Sequence, residues 1–403
     1  MISTTSLKSI RSQRIILIVG IIVIACNLRP AITSVGPIIS IIREDTGISN
    51  SAAGLLTTLP LLGFAVFSIL SPKLSQYIGI YPAVFIGIVT LGTGTFIRSA
   101  DFLAALFTGT ALAGIGIAIC NVLLPGIVKQ EFPRKVGLMT GVYTLSMGVF
   151  ASTGSGISYP LTELGLDWEN ALAIWGIPAG IALIIWLPQL RLSHEGAGQQ
   201  SAGTVSKSPL WRSPLAWKVT LFMGMQSFLF YCLVAWLPEI LQTKNLSVGL
   251  SGWMLSIMQI VGVPLSFLTP VLADRFQNQR GIIAVLCTVY MTGLIGVQVS
   301  SQFLWLCFFV VLLGFGQGSA ISLSLTLLSL RAANPLDASR LSGMAQSFGY
   351  LFAAAGPLLM GLLFDIYGTW TPALFIFIAV SAGMLFVGLG AGRAEYVQSY
   401  THN

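Results

Sequence analysis

A single arginine, Arg29, stands near the middle of a long apolar run, RIILIVGIIVIACNLRPAITSVGPIISII, that starts at Arg14. A guanidinium offers five donors in a rigid planar fork, which suits carboxylates, other oxyanions and nitro groups. At mid-depth in a bilayer such a charge costs about 2.5 to 3.5 kcal/mol, so it must face protein interior or a wet cavity and find a partner there. Thr33 and Gly36 follow at i+4 and i+7, on the same face of a helix. Pro30 lacks an N–H and crowds the carbonyl four residues back, so the helix should bend beside the charge and free an acceptor. Gly36 and Pro37 weaken it again. A buried charge on a broken helix is how membrane transporters assemble a substrate site.

The alternative is an ion pair that merely holds helices together, and it needs a buried acid. Of the 13 acidic residues, none is expected in mid-helix. Glu239 and Asp365 fall near the outer ends of spans, and Asp274 and Asp337 in inner loops. Arg29 is therefore expected to lack a permanent carboxylate, leaving a transported anion or a small electron-rich solute to complete it.

Other polar residues interrupt apolar runs at mid-depth. They are Asn121 in GIAICNVLLPG, Tyr143 in GVYTLS, Gln226 and Tyr231 in GMQSFLFYC, Gln317 in GFGQGSA and Gln346 in GMAQSFGY. Each alone can serve as an interhelical hydrogen bond, worth about 0.6 kcal/mol, or line a substrate path. The candidate substrate site is Arg29 and Thr33 with Asn121, Tyr143, Tyr231, Gln317 and Gln346. Trp236, in AWLP, reads either as an interfacial belt residue or as an aromatic gate.

Enzyme chemistry has little to work with. Paired histidines, H-E-x-x-H and G-x-S-x-G are missing, and His194 and His402 fall in the linker and tail. The Gly-x-Gly stretches at 114–116 and 316–318 lie inside apolar runs and follow no strand, which favours close helix packing over a nucleotide loop. Cys26, Cys120, Cys232, Cys287 and Cys307 all sit in apolar runs and read as packing residues. No cofactor or metal is expected.

The elements that position these residues are membrane helices. The chain is 55% hydrophobic and 8% charged, against about 25% charged in soluble domains. Apolar runs of about 20 residues recur along it, each the length of a bilayer crossing. Twelve spans are expected, near residues 15–42, 52–71, 79–97, 102–128, 136–159, 169–188, 215–241, 250–271, 281–299, 303–329, 340–363 and 370–391. Lys8, Arg11 and Arg14 before the first run imitate a signal peptide, but the run continues through Arg29-Pro30 without a small-residue cleavage site and reads as a retained helix. Residues 191–214, rich in Gly, Ser and Gln, read as a cytoplasmic linker between six-helix units at 1–190 and 215–403.

With the N-terminus inside, only Arg43, Arg98 and Lys244 fall in outer loops; the remaining loop lysines and arginines lie inside. That asymmetry places both termini and the linker in the cytoplasm. The net charge of +7 thus reflects orientation, and nucleic acid is not an expected partner. The halves also repeat. A shift of 202 sets GIGIA at 114–118 on GQGSA at 316–320 and pairs Lys129 with Arg331, Pro133 with Pro335, Gly141 with Gly343 and Gly154 with Gly356. A smaller shift pairs Pro72-Lys-Leu74 with Pro270-Val-Leu272. Six plus six in parallel repeat is a transporter architecture.

The loop TPVLADRFQNQRG, with Asp274, Arg275 and Arg280, resembles the inner-loop signature of the major facilitator superfamily. The resemblance implies an all-α membrane fold of twelve helices, in two six-helix bundles about a pseudo-two-fold axis, working by alternating access. It also implies that Asp274 and Arg275 gate by pairing with inner helix ends in the outward-open state. The first-half loop SPKLSQYIG departs from the signature, with Gln76 and Tyr77 where Asp and Arg are expected, which puts a latch there in doubt. NLRPAITSVGP is similar to helix 1 of the cyanate permease group. GLLTTLPLL, NVLLPGIVKQEFP, WRSPLAWKVTLF, AWLPEIL, LSGMAQSFGYLFAAAGPLLMG and GTW resemble its 2-nitroimidazole transporter branch more closely.

The expected function is secondary transport of a small anionic or nitro-bearing solute across the inner or plasma membrane by alternating access, with export as the expected direction. A proton-coupled exporter of broader apolar drugs and an anion uptake permease are the alternatives. The expected partners are the solute, membrane lipid and a coupling proton or counter-anion, with the chain acting as a monomer.

Overall fold

The computed structural model describes residues 4–132, 135–194, 210–332 and 335–397. Most of the expected linker, residues 195–209, lies outside the described residues, as do Arg134 and His402. The chain forms α1 (Arg14–Thr46), α2 (Asn50–Ile78), α3 (Ile80–Ile97), α4 (Leu103–Glu131), α5 (Val136–Glu163) and α6 (Trp168–Leu190). After the linker come α7 (Pro214–Gln242), α8 (Val248–Arg275), α9 (Arg280–Val299), α10 (Phe303–Leu330), α11 (Pro335–Tyr367) and α12 (Thr371–Ala391). Eleven of these crossings are long and apolar enough to span a membrane, and α5, at 28 residues, is the twelfth. No strand occurs among the described residues.

Helix starts follow local chemistry. The side chains of Ser49, Ser213 and Ser247 accept from the backbone N–H groups of Ala52, Ala216 and Leu250 at the heads of α2, α7 and α8. Some ends differ from expectation. The second helix was expected to stop at Ser71-Pro72, yet α2 continues to Ile78 with Pro72 inside it. In that stretch the Ser68 and Ser71 hydroxyls donate back to the carbonyls of Phe64 and Phe67, each at 2.6 Å. In an apolar setting a hydroxyl bonded to its own helix is the low-energy choice.

The two halves pack alike. In the first, α1 meets α5 and α6, α2 meets α4, and α3 meets α4 and α6; in the second, each contact recurs six helices later. Across the halves α2 packs on α11 and α5 on α8, which are mates under the same exchange, while α1 meets α7 near the axis. The structure refines the expected register. Gly114 lies against Pro60 on α2 and Gly314 against Met258 on α8; Gly116 lies against Leu91 on α3 and Gly316 against Tyr290 on α9. The mate of Gly114 is thus Gly314, and the expected pairing with Gly316 is two residues out. In α5 and α11 the shift of 202 holds, since Gly154 lies against Pro30 and Gly356 against Cys232. Between α2 and α8 the smaller shift holds. Thr58 donates to the Ala354 carbonyl at 2.7 Å, and its mate Ser256 donates to the Ser152 carbonyl at 2.8 Å.

Candidate functional site

The first crossing is broken twice. A helix ends at Asn27, a single turn covers Pro30–Thr33, and a 3-10 turn covers Gly36–Ile38 before the helix resumes at Ile39. Both breaks fall where Pro30 and the Gly36-Pro37 pair predict them. Backbone at this depth must find partners inside the protein. Ser155 on α5 donates to the Thr33 carbonyl at 3.1 Å, and Arg98, at the end of α3, donates to the Ala31 carbonyl at 2.5 Å. The Ala31 carbonyl, left open by the broken helix, is thus met by a second arginine. Arg98 was counted as an outer-loop charge; it is buried instead. Burial brings its guanidinium down to about 10, so it remains a cation at neutral pH.

Arg29 is half-buried in the first break, where it caps the Pro30–Thr33 turn. Its Nη1 donates to the Tyr231 hydroxyl at 3.2 Å, and its guanidinium carbon lies 5.2 Å from the centre of the Phe230 ring. Tyr231 is 202 residues on, so these two side chains are repeat mates facing each other across the axis. Among the described residues the ion pairs are Arg43–Glu239 and Arg393–Glu395, and neither includes Arg29. Most of the guanidinium fork is left for something other than protein carboxylate.

The sequence reading did not select the aromatic residues around this pair. Tyr231 packs on Phe230 at 4.7 Å between ring centres, on Phe64 at 6.4 Å and on Tyr350 at 6.4 Å, and Phe64 meets Tyr350 at 5.2 Å. Phe64 comes from α2, Tyr231 from α7 and Tyr350 from α11, so the cluster spans both halves. Its signal was positional. Tyr350 lies one turn beyond Gln346, and Phe64 follows the quoted GLLTTLPLL stretch.

The other expected site residues scatter. Thr33 is buried, and although its N–H bonds to the Arg29 carbonyl one turn back, its hydroxyl donates to the Ala151 carbonyl of α5 at 2.9 Å. Asn121 is half-buried on α4 and Tyr143 buried on α5. Gln317 is buried on α10 with its side-chain oxygen unbonded. Gln346 donates to Ser342 at 2.9 Å on α11, and Gln226 to Ser227 at 2.7 Å on α7. Of the candidate set, the structure brings Arg29 and Tyr231 into direct contact.

Trp236 is fully buried, packs against Trp370 in a tilted pair with 4.9 Å between ring centres, and donates to the Pro357 carbonyl at 2.9 Å. It is not a belt residue. It braces α7 against α11 at the carbonyl on which Gly54 of α2 closes. The end of the bundle that carries Arg43 is sealed. Arg43 pairs with Glu239 at 2.7 Å, and the Asp365 carboxylate accepts from the backbone of Asn50 and Ser51 at 3.0 and 2.8 Å. Lys244 donates to the Gln298 carbonyl, so all three cations expected at this end are engaged. At the opposite end Asp274 and Arg275 are exposed and make no hydrogen bond or ion pair among the described residues. Arg280 of the same loop donates to the Leu389 carbonyl.

Twelve crossings in two matched halves, a broken first helix and an unpaired charge at the axis define a membrane transporter rather than an enzyme. The Major Facilitator Superfamily model matches residues 21–336, and the chain belongs to that family. It is 51% identical over 382 residues to "Uncharacterized transporter YycB" of Bacillus subtilis, covering 94% of each chain. It is 38% identical to the 2-nitroimidazole transporter of Escherichia coli over 99% of this chain and 100% of that one. Identity to the cyanate transport protein CynX of the same species is 27%, over 87% and 90%. Among solved structures it resembles the nucleoside transporter NupG with a TM-score of 0.75 at 12% identity, over 92% and 98% of the two chains. For a D-xylose-proton symporter the TM-score is 0.71 at 15% identity, over 94% and 97%. These are likenesses of fold.

Proposed function

We propose that this secondary transporter moves a small anionic or nitro-bearing solute, that Arg29 holds the solute's oxygens, and that net movement is export. The observation that carries this is a half-buried guanidinium at the axis that donates to a phenol and, among the described residues, pairs with no carboxylate. An intramembrane charge without a counter-ion is costly unless a ligand supplies one. Identity to a 2-nitroimidazole transporter along the whole chain supports the solute class. The basic loops support a cytoplasmic location for the Asp274 end, the linker and both termini. On that orientation the sealed end faces out, and the solute reaches Arg29 from the cytoplasm. Return to the outward-open state breaks the Arg43–Glu239 and Asp365–Asn50 contacts while Asp274 and Arg275 find partners at the inner end.

The membrane potential favours this direction for an anion. At 100 mV, negative inside, each negative charge gains about 2.3 kcal/mol on leaving. Uptake would need a co-transported proton or exchange for another anion. The two halves, 1–190 and 215–403 with the linker between, rock as units in one monomer.

The test is ligand-induced thermal stabilisation of purified wild-type and Arg29→Ala protein with 2-nitroimidazole, cyanate, nitrate and small carboxylates, since a ligand that binds the folded state raises its stability with occupancy. A shift in wild type that is lost in Arg29→Ala is the expected result. Equal shifts in both proteins would move the site away from α1, and no shift with any solute would favour a bulkier apolar drug.

A further inference from the structure

The Arg29 cluster presents two chemically different surfaces. Tyr231, Phe64 and Phe230 are buried, whereas Arg29 and Tyr350 are only partly buried. Tyr350 lies within electrostatic range of Arg29 and is fixed by Phe64 at 5.2 Å and Tyr231 at 6.4 Å. A solute that reaches this cluster therefore meets a cationic fork and an aromatic side chain together. A linear anion can use only the fork.

We infer that the site selects planar ring compounds bearing a conjugated nitro or carboxylate group, with Tyr350 as the ring-recognising residue. This rests on the reading that Arg29 holds the solute's oxygens. A flat π-system that places two oxygens on the guanidinium extends its ring away from Arg29, and an aromatic wall receives it by offset or edge contact. The Tyr231 hydroxyl accepts from one guanidinium N–H and gives way to the solute's oxygen. Phe64 packs on Tyr350 from the other half of the molecule, so ring binding also reports on the approach of α2 to α11. Rings are recognised by their faces in this way regardless of heteroatom pattern. The site should then accept nitroimidazoles and aromatic carboxylates alike.

The experiment measures affinity of the full-length protein in detergent for two matched sets. One set carries a ring, 2-nitroimidazole and benzoate; the other does not, nitrate, acetate and cyanate. Tyr350→Leu should weaken the ring compounds about tenfold, equivalent to about 1.4 kcal/mol, and leave the ringless anions within about twofold. Tyr350→Phe keeps the ring and should bind both sets as wild type does. The inference is overturned if Tyr350→Leu weakens both sets alike or neither, or if wild type binds ringless anions as tightly as their ring counterparts. The last comparison needs no variant, so it decides even if Tyr350→Leu does not fold. Arg29→Ala separates the two readings. Loss of all binding in Arg29→Ala with none in Tyr350→Leu removes the ring wall and keeps the arginine. Retained binding in Arg29→Ala removes the site itself.

Discussion

Substituting Gly54 by alanine should drive the protein out of the form that is sealed at the Arg43 end. A Cβ at Gly54 would stand 2.5 Å from the Pro357 carbonyl oxygen, 2.8 Å from its carbon and 2.9 Å from the Leu358 Cα. All three atoms are backbone, so no side chain can swing aside and α2 must part from α11. Overpacking of this kind costs about 1 to 3 kcal/mol. Applied to one state alone, that changes the ratio of states by about 5- to 150-fold. Its repeat mate on α8, Gly252, is less confined, with Pro37 Cβ at 3.1 Å and the Ser155 carbonyl oxygen at 3.4 Å, so Gly252→Ala should do less. Gly343 has nothing within 4 Å and serves as the control. The assay is labelling of Ala354→Cys by an impermeant maleimide, in a background where the five native cysteines are replaced. Ala354 is buried, and its carbonyl receives the Thr58 hydroxyl, so its labelling reports separation of α2 and α11. Gly54→Ala should raise labelling from the Arg43 side by about an order of magnitude. Unchanged labelling, or an equal rise in Gly343→Ala, would refute the account of closure.

Arg29→Lys keeps the charge but loses the fork, and should cut transport about tenfold or more with membrane expression intact; wild-type rates would remove Arg29 from the site. Glu239→Gln dissolves the ion pair with Arg43 and should raise Ala354→Cys labelling from the same side as Gly54→Ala does, though less. Arg98→Met leaves the Ala31 carbonyl buried without its donor, which costs about 1 to 3 kcal/mol and should lower the thermal unfolding midpoint. Because the folded-state pKa of Arg98 is lowered only to about 10, the group is charged at both pH 6 and pH 8. The loss in Arg98→Met should therefore be the same at the two values, and a loss confined to one would contradict the assignment.

Much of the fold was legible because bilayer crossings need length and apolarity, both of which are local, and because basic residues mark alternate loops. Arg29 was legible for the converse reason, as a charge where none is tolerated without cause. What was lost depended on tertiary geometry. Thr33 lies one helical turn from Arg29, its N–H bonded to the Arg29 carbonyl, yet its hydroxyl goes to the Ala151 carbonyl of α5. Arg98 sits one residue beyond α3 and looked like a loop charge; only the fold shows that the broken α1 leaves a carbonyl for it. Phe64 and Tyr350 were invisible because an aromatic residue in an apolar run reads the same whether it faces lipid, core or solute.

The repeat explains the chemistry at the centre. A two-fold axis sets equivalent positions face to face, and here it sets residue 29 against residue 231. Two arginines at these positions would repel, and an arginine with a carboxylate would neutralise the site permanently. A phenol is the intermediate solution. It accepts one hydrogen bond from the guanidinium, worth about 1.5 to 3 kcal/mol when the donor is charged, and can yield to a better acceptor. Replacing Tyr231 by glutamate should convert that yielding partner into a fixed one. The expected result is a protein that folds with the same unfolding midpoint or a higher one, yet shows no ligand-induced shift with any oxyanion or nitro compound. If Tyr231→Glu still bound these solutes as wild type does, the fork would not be the group that receives them.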